Sequence, residues 1–217
     1  MASGRLTSDD LTRLLLAARD GDRVALSAWI HQTQGEVLRL CRCLATPNDA
    51  EDVAQEIYLR AYRALPQFRG ESSARTWLMV IARAACADFV RESRRRRWLA
   101  WKAMPAPSHE PDPAGSIEVH LMLKTLKPER RAAFALTQVI RTSYAEAADI
   151  CDCSIGTIRS RVARAREDLR QQLGVPKDAD RSDLAPDAVA LGVNQRLTFS
   201  AEDHSVPFPM AAGGLPD

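Results

Sequence analysis

Residues 143–166 (SYAEAADICDCSIGTIRSRVARAR) contain the starts of two helices separated by a very short turn. Ser143 and Glu146 form a capping-box pair for the first helix, and Ser154 is a capping residue for the second. Cys151-Asp152-Cys153 forms the turn between them. The first helix is expected to bury the mostly small residues Ala147, Ala148 and Ile150. Apolar residues at three-to-four spacing predict the buried stripe of the second: Ile155, Ile158, Val162, Ala165 and Leu169.

The second helix of this segment has a polar, basic face opposite its apolar stripe. The residues predicted on that face are Arg159, Ser160, Ala163 and Arg164. This is the layout of a helix-turn-helix whose second helix enters the major groove of DNA. Arginine suits this task because its planar guanidinium can donate two hydrogen bonds to a guanine edge. A solvated, arginine-rich surface helix is the alternative interpretation.

Length and composition favour helical domains. The chain has 217 residues, enough for one large domain or two small ones, and few runs of β-branched or aromatic residues suggest strands. We therefore predict an all-α fold. No stretch of eighteen apolar residues occurs, and the N-terminus, MASGRLTSDD, lacks the apolar core of a signal peptide. We expect a cytoplasmic protein without a membrane span.

The five cysteines, at positions 41, 43, 86, 151 and 153, do not predict a disulfide framework, because their number is odd. The two Cys-x-Cys pairs have closer spacing than structural zinc sites usually show, and the four histidines are scattered. We therefore expect buried or half-buried thiols, no metal site and no cofactor. A redox or metal role is the alternative.

Helix start and stop signals divide the chain into two helical domains. In the first domain, residues 8–97, Ser8 begins a helix that Asp20-Gly21-Asp22 ends, and Asn48 is predicted to cap a helix that Pro66 stops. A further helix is predicted over 74–95. The linker, residues 98–116, includes MPAPSHEPDPAG, with four prolines in twelve residues. The second domain, residues 117–175, contains a helix that Pro128 begins, followed by the helix-turn-helix.

Residues 176–217 form an acidic tail that we predict to be disordered. The tail has seven acidic and three basic residues, so its net charge is −4. Since the whole chain carries +2, the rest carries +6. A basic body with an acidic tail fits a nucleic-acid binder. The tail is either inert or folds back on basic DNA-binding surfaces.

The first domain contains two further candidate binding elements. The helix after Asn48 begins with four acidic residues: Asp49, Glu51, Asp52 and Glu56. These residues either stabilise the helix through its dipole or bind a basic protein partner. The following loop and helix combine hydroxyls, arginines and aromatic rings. An aromatic platform beside cationic groups suits unstacked single-stranded bases. Core packing is the alternative role for Trp77, and a solvated helix end is the alternative for the run of arginines from Arg91.

Three segments in this order resemble the extracytoplasmic-function (ECF) sigma factors of the sigma-70 family. The segments are DAEDVAQEIYLRAYRAL (49–65), FRGESSARTWLMVIARAACADFVR (68–91) and SYAEAADICDCSIGTIRSRVARAREDLR (143–170). The resemblance covers roughly Asp9 to Leu173. It implies a sigma-2-like domain, a linker and a sigma-4-like domain that bind core RNA polymerase.

The resemblance also implies a role for each candidate residue. Contact with the coiled coil of the polymerase β′ subunit is implied for Asp49, Asp52, Gln55 and Glu56. The β subunit of polymerase is a further implied partner. Contact with the −10 region, melted or double-stranded, is implied for Phe68, Ser72, Ser73, Arg75, Trp77, Arg83, Asp88, Arg91, Arg94 and Arg95. Base contact in the −35 element is implied for Arg159, Ser160, Ala163 and Arg164. Contact with phosphates there is implied for Tyr144, Thr157, Arg161 and Arg166. An anti-sigma factor is a further partner that the family often uses.

Two positions depart from the family pattern. Ala84 stands where many relatives carry an asparagine in the helix that approaches the −10 region, and alanine cannot make that polar contact. Ala163 replaces a larger residue on the recognition face, leaving contact with a thymine methyl as its contribution.

Two other functions compete with promoter recognition. A stand-alone helix-turn-helix regulator is the main alternative, although it needs neither an acidic docking helix nor a single-strand loop. A nucleic-acid enzyme is disfavoured because the sequence contains no phosphate-binding glycine loop, no zinc ligand set and no paired catalytic carboxylates with a supporting histidine. We therefore expect a specificity subunit without a catalytic site of its own.

Overall fold

The computed structural model describes residues 6–101 and 120–173, and every regular element within these ranges is helical. The first unit contains α1 (Ser8–Arg19), α2 (Arg23–Leu44), α3 (Ala50–Ala64), a 3-10 turn (Leu65–Gln67) and α4 (Ala74–Trp101). The second contains α5 (120–124), α6 (Pro128–Phe134), a π-helical turn (Ala135–Val139), α7 (Tyr144–Cys151) and α8 (Ile155–Gln172). The all-α prediction is confirmed. The acidic tail from 176 and the proline-rich part of the linker lie outside the described residues.

Side-chain caps set the starts of α1 and α2. Thr7 and Asp10 form a capping box at the start of α1, and the Asp22 carboxylate accepts hydrogen bonds from the first turn of α2. Gly21 between these helices has a φ of 103°, a conformation that glycine adopts without steric cost. This turn brings α1 and α2 together as neighbours.

Two helix boundaries differ from the prediction. Asp49, and not Asn48, is the residue before α3, because the Thr46 hydroxyl donates to the Asp49 carboxylate and accepts from its backbone N–H. These bonds keep the chain in a turn for one residue longer. Helix α4 continues to Trp101 and does not end near Arg95. The residues after Arg95 (RRWLAW) include no proline or glycine, so nothing local ends the helix there.

The core of the first unit is built around α4. Its inward face carries Leu78, Met79, Ala82, Ala85 and Cys86, all of them almost completely buried. This face packs against α1, α2 and α3, and α4 also contacts α7 of the second unit. Helix α4 therefore contacts both units, as does α2, which also packs against α6 and the π-helical turn.

The helix-turn-helix has the predicted caps. Ser143 and Glu146 make the capping box of α7, and the Ser154 hydroxyl accepts from the Thr157 N–H at the start of α8. Asp152 in the turn adopts the left-handed conformation with φ 50°. The predicted buried residues of α7 are confirmed. The predictions of the caps and of the two helices are thus confirmed, although Cys151, predicted in the turn, is the last residue of α7.

One residue of the predicted α8 stripe is on the surface. Ile158 is fully buried, as are Val162, Ala165 and Leu169, but Ile155 is 43% exposed. Ile155 is the first residue of α8, and helical side chains lean toward the N-terminus. Its side chain therefore extends beyond the end of the helix, where no neighbouring turn covers it.

All five cysteines are free thiols, and their predicted burial is confirmed. Cys41, Cys43 and Cys86 are buried, whereas Cys151 and Cys153 are half-buried. Burial raises the pKa of Cys43 to about 12 and also raises the pKa of Cys151. Among the helices of the described ranges, none combines the length and the apolar character that crossing a bilayer requires.

The two isoleucines of α8 provide a test of this core. We expect Ile158→Ala to lower the free energy of unfolding by about 2–5 kcal/mol, because it leaves a cavity under the recognition helix. Ile155→Ala, the matched control three residues earlier, should change it by about 0.5 kcal/mol or less, as is usual at exposed positions. Urea unfolding followed by circular dichroism measures both. Equal losses in the two variants would contradict the burial described here.

Candidate nucleic-acid and polymerase interfaces

The outward face of α8 carries the four residues predicted to contact bases. Arg159, Ser160, Ala163 and Arg164 are all exposed. The Ser160 hydroxyl donates to the Thr157 carbonyl at 2.9 Å, which leaves both lone pairs of its oxygen available to accept. Two guanidinium groups separated by small side chains thus share one exposed surface. Such a surface can enter a groove and donate paired hydrogen bonds to acceptors on a base edge.

The residues predicted to contact phosphates in the −35 region lie at the edges of this face and are engaged within their own unit. Tyr144 packs against the core, and the Thr157 hydroxyl lies 2.9 Å from that of Ser154. Arg161 donates to the Cys153 sulfur at 3.5 Å, and Arg166 donates to the Gln138 side-chain oxygen at 2.7 Å. The two arginines therefore tie α8 to the turn before it and to the π-helical turn.

A depression of about 550 Å³ lies at the junction between the loop after α3 and the start of α4. It is lined by Pro66, Gln67, Phe68, Arg69, Glu71, Ser72 and Trp77. Aromatic, amide, hydroxyl and charged groups thus meet on one concave surface. This combination suits a planar, hydrogen-bonding ligand such as an unstacked base.

The aromatic wall of this depression continues into the core. The Phe68 and Trp77 ring centroids are 5.1 Å apart, and Trp77 lies 6.4 Å from Trp29. Trp29 in turn packs edge-on against Tyr58 at 5.9 Å. Phe68 is 3% exposed, whereas Trp77 is half-buried. Both rings were predicted to contact the −10 region. Trp77 is the more accessible of the two, and the buried Phe68 ring packs against it.

The two serines of this loop have different surroundings. Ser72 is exposed, whereas the Ser73 hydroxyl accepts from the Thr76 N–H at 3.0 Å and donates to the Thr76 hydroxyl at 2.9 Å. Ser73 thus satisfies an N–H group in the first turn of α4. The Ala74 N–H donates to the Thr12 hydroxyl, which fixes this turn against α1.

Arg75 and Arg83, both predicted for the −10 region, connect the two units. Arg75 forms a salt bridge with Glu36 at 2.8 Å and donates to the Ile140 carbonyl at 2.8 Å. Arg83 donates to the Ile150 carbonyl at 2.9 Å. Both carbonyls lie at helix ends, where backbone acceptors have no partner within the helix. Sequence reasoning missed these contacts, because backbone carbonyls 65 and 67 residues away leave no signal in the sequence.

The second half of α4 presents exposed arginines, among them Arg91, Arg94 and Arg95. Arg91 forms an ion pair with Asp88, and Arg95 forms one with Glu92 at 3.1 Å. This surface remains rich in cations that can contact a phosphate backbone.

Asp88 belongs to an ionic network that joins α3 and α4. Arg60 bridges Asp88 at 2.6 Å and Glu56 at 2.7 Å. The hydrogen bond from Arg60 is the main cause that lowers the pKa of Asp88 below its usual value, with Arg91 adding to it. The structure thus brings together Glu56 and Asp88, to which the sequence assigned separate interfaces.

The predicted polymerase-binding residues lie along α3. Asp52 and Gln55 are exposed, and Asp49 and Glu56 are half-buried. The opposite side of the helix is buried through Val53, Ala54, Ile57, Tyr58 and Ala61. The acidic residues therefore occupy an outward surface on the N-terminal half of α3.

This surface continues toward the C-terminal half of α3 with two large apolar side chains that sequence reasoning missed. Leu59 is 51% exposed and Tyr62 is 56% exposed. They follow Gln55 at positions i+4 and i+7, so the three residues share one face of the helix. The sequence could have indicated this exposure, because both apolar residues lie outside the buried stripe of the helix.

No group of three or more His, Cys, Asp or Glu side chains that could hold a metal ion occurs within residues 6–101 and 120–173. The surfaces of this protein are instead cationic, aromatic and acidic patches on helices. They define an all-helical DNA-binding protein with a helix-turn-helix unit and a second interaction unit.

Comparisons with known proteins identify the family. The model of sigma-70 region 2 matches residues 29–96, and the model of sigma-70 region 4 matches residues 116–169. The ECF RNA polymerase sigma factor SigC of Mycobacterium tuberculosis is 43% identical over 169 residues, which cover 75% of this chain and 91% of SigC. The ECF RNA polymerase sigma-E factor of Escherichia coli is 34% identical over 178 residues, which cover 74% of this chain and 93% of sigma-E.

A solved structure has the same fold. The sigma factor RpoE from Bartonella quintana, in complex with the anti-sigma factor NepR, superimposes with a TM-score of 0.54 at 28% identity. The match covers 69% of this chain and 99% of that one. This chain belongs to the ECF sigma factors of the sigma-70 family. It is thus a promoter-specificity subunit of RNA polymerase and not a stand-alone helix-turn-helix regulator.

The Arg60 network generates a prediction about pH. A lowered pKa of Asp88 means that its ionised form is stabilised in the fold, so this contribution is present above the unfolded pKa. It is lost as the pH falls through the folded pKa. We expect Arg60→Gln to move the pKa of Asp88 up toward 3.8, the ordinary value, in a carboxyl titration by NMR. Arg63→Gln, an exposed change on the same helix, should leave it in place, and an unchanged Asp88 in Arg60→Gln would contradict the network.

Proposed function

We propose that this sigma factor holds the −35 element with α8, captures −10 bases at the depression beside Trp77, and docks on polymerase through α3. The observation that carries the proposal is the exposed face of α8, on which Arg159 and Arg164 flank Ser160 and Ala163. Polymerase supplies the chemistry, and this chain has no catalytic site of its own. It acts in the cytoplasm, where it meets polymerase and promoter DNA.

At the −35 element, Arg159 and Arg164 donate to base edges, and the Ala163 methyl contacts a thymine methyl. Ser160 contributes its hydroxyl at the same surface. Tyr144, Thr157, Arg161 and Arg166 border this face and contact phosphates, which position the helix without specifying sequence. Arg166 keeps its bond to Gln138 as it does so, because a phosphate needs only one of its remaining donors.

At the −10 element, a base of the non-template strand leaves the stack and enters the depression beside Trp77. Ser72 and the polar groups of the loop bond its edge, and Phe68 acts by supporting the Trp77 ring. Ser73 acts by capping α4. Arg91, Arg94 and Arg95 bind the neighbouring phosphates, while Asp88 orients Arg91.

Arg75 and Arg83 reach promoter DNA only after they release the Ile140 and Ile150 carbonyls. The described arrangement of the two units is therefore a resting arrangement, and promoter binding separates them. Separation exposes two carbonyls at helix ends, which water can satisfy.

On α3, Asp52 and Gln55 contact the coiled coil of the β′ subunit, with Asp49 and Glu56 at the edges of the contact. Leu59 and Tyr62 extend this interface with apolar area, which an acidic patch alone lacks. The β subunit is a further contact. The Bartonella relative is bound to the anti-sigma factor NepR, and a protein of that kind is a further partner proposed here.

Reconstitution with core RNA polymerase tests the proposed function. We expect the full chain to bind the core enzyme and to direct run-off transcription from a promoter selected by genome-wide binding. Absence of promoter-dependent transcripts would overturn the proposal. Asp52→Lys should abolish core binding yet leave duplex DNA affinity unchanged, because the charge reversal opposes a basic partner. Asp9→Lys, an exposed reversal on α1, is the matched control and should leave core binding intact.

Two arginines should affect DNA binding in different ways. Arg164→Ala should cost about 1–3 kcal/mol and relax preference at one base pair of the −35 element, because it removes a base contact. Arg96→Ala on α4 should weaken all sequences similarly and lower the salt slope by about 1, because it removes a phosphate contact. Fluorescence anisotropy on promoter variants at several salt concentrations measures both. A changed sequence preference in Arg96→Ala with an unchanged salt slope would refute its assignment.

A further inference from the structure

A cleft between the two units is lined by five arginines. Arg83, Arg91 and Arg94 come from α4, Arg131 comes from α6 and Arg161 comes from α8. The cavity has a volume of about 290 Å³, and among the described residues Glu129 is the single carboxylate in its lining. The cleft is therefore strongly cationic.

Arg131 is the least accessible of these arginines. Its residue is 6% exposed, and its Nε atom has no hydrogen-bond partner within the described ranges of the chain. Burial and the nearby charge of Arg94 both lower its pKa. Removing a guanidinium from water without a counter-charge is costly, so an anion in the cleft would offset part of this cost.

In the part of the chain that the structure describes, three of the other four arginines have partners, and these partners leave much of the charge in the cleft uncompensated. Arg91 has Asp88 as its carboxylate partner. Arg83 donates to a neutral backbone carbonyl, and Arg161 donates to a thiol sulfur. Neutral acceptors satisfy a donor but do not balance its charge.

We propose that this cleft binds an anion with two linked phosphate groups, either free pyrophosphate or the diphosphate of a nucleotide. A guanidinium group can donate two parallel hydrogen bonds to the oxygens of one phosphate. In this cleft the guanidinium groups come from three different helices. Two linked phosphates match this spread of donors better than a single phosphate does. Duplex DNA is too wide for a cavity of this volume.

The ligand has a consequence for the two units. Since the arginines that line the cleft come from both units, a bound anion holds α4 against α6 and α8. It also occupies Arg83, Arg91, Arg94 and Arg161, to which the proposed function assigns promoter contacts. Occupancy therefore opposes promoter binding. This consequence rests on the proposed function, whereas anion binding itself does not.

Calorimetry and thermal unfolding of the full chain test the site. The probes are inorganic pyrophosphate, ADP, orthophosphate and sulfate at matched ionic strength. We expect pyrophosphate and ADP to bind at least tenfold more tightly than the two single-group anions and to raise the Tm. Tighter binding of ADP would identify a nucleotide as the ligand, and equal binding would identify the diphosphate alone. Equal affinity for all four anions would overturn the proposal.

Arg131→Met is the decisive variant, because methionine fills the volume without the charge. We expect it to lose at least tenfold in pyrophosphate affinity and to unfold at the same or a higher temperature without ligand. Arg94→Gln, an exposed change in the same cleft, should lose severalfold in affinity and serves if Arg131→Met does not fold. Arg13→Gln, an exposed change of equal charge on α1, is the control. Unchanged affinity in the folded cleft variants would overturn the proposal, whatever the transcription assay shows.

Discussion

The burial of the inner face of α4 is the constraint on which the rest of the structure depends. This face packs against α1, α2 and α3, and the same helix contacts α7 of the second unit. Small residues such as Ala82, Ala85 and Cys86 allow α2 to approach so closely that the Cys41 and Cys86 sulfurs are 4.0 Å apart. Larger side chains here would separate the helices. Since Trp77 and the arginines up to Arg95 belong to this helix, their geometry depends on the same packing.

The arginines of this protein have one chemistry and several physical roles. Arg159 and Arg164 are exposed on the recognition face, whereas Arg75 and Arg83 hold the two units together through helix-end carbonyls. Arg131 is buried in a cationic cleft. The resemblance to ECF sigma factors implied promoter contacts for Arg75, Arg83, Arg159 and Arg164 alike. Their different roles arise from which carbonyl, carboxylate or cavity lies within reach after folding.

The connection between the units also links the proposed functions. The side chains that reach across from α4 are among those with a proposed role at the −10 element, so domain packing and promoter binding draw on the same donors. An anion in the cleft would favour the packed arrangement, and promoter DNA would favour the separated one. Free energy differences of a few kcal/mol suffice to shift such an equilibrium.

The sequence by itself determined what depends on residues within one or two helical turns. The caps at Ser143 and Ser154, the start of α6 at Pro128 and the exposed basic face of α8 follow from spacings of three or four residues. The resemblance to ECF sigma factors rests on the same local motifs. Only the tertiary structure decided the burial of Phe68 and the partners of Arg75 and Arg83. These depend on groups tens of residues away, which come within reach only when helices pack, so no local pattern encodes them.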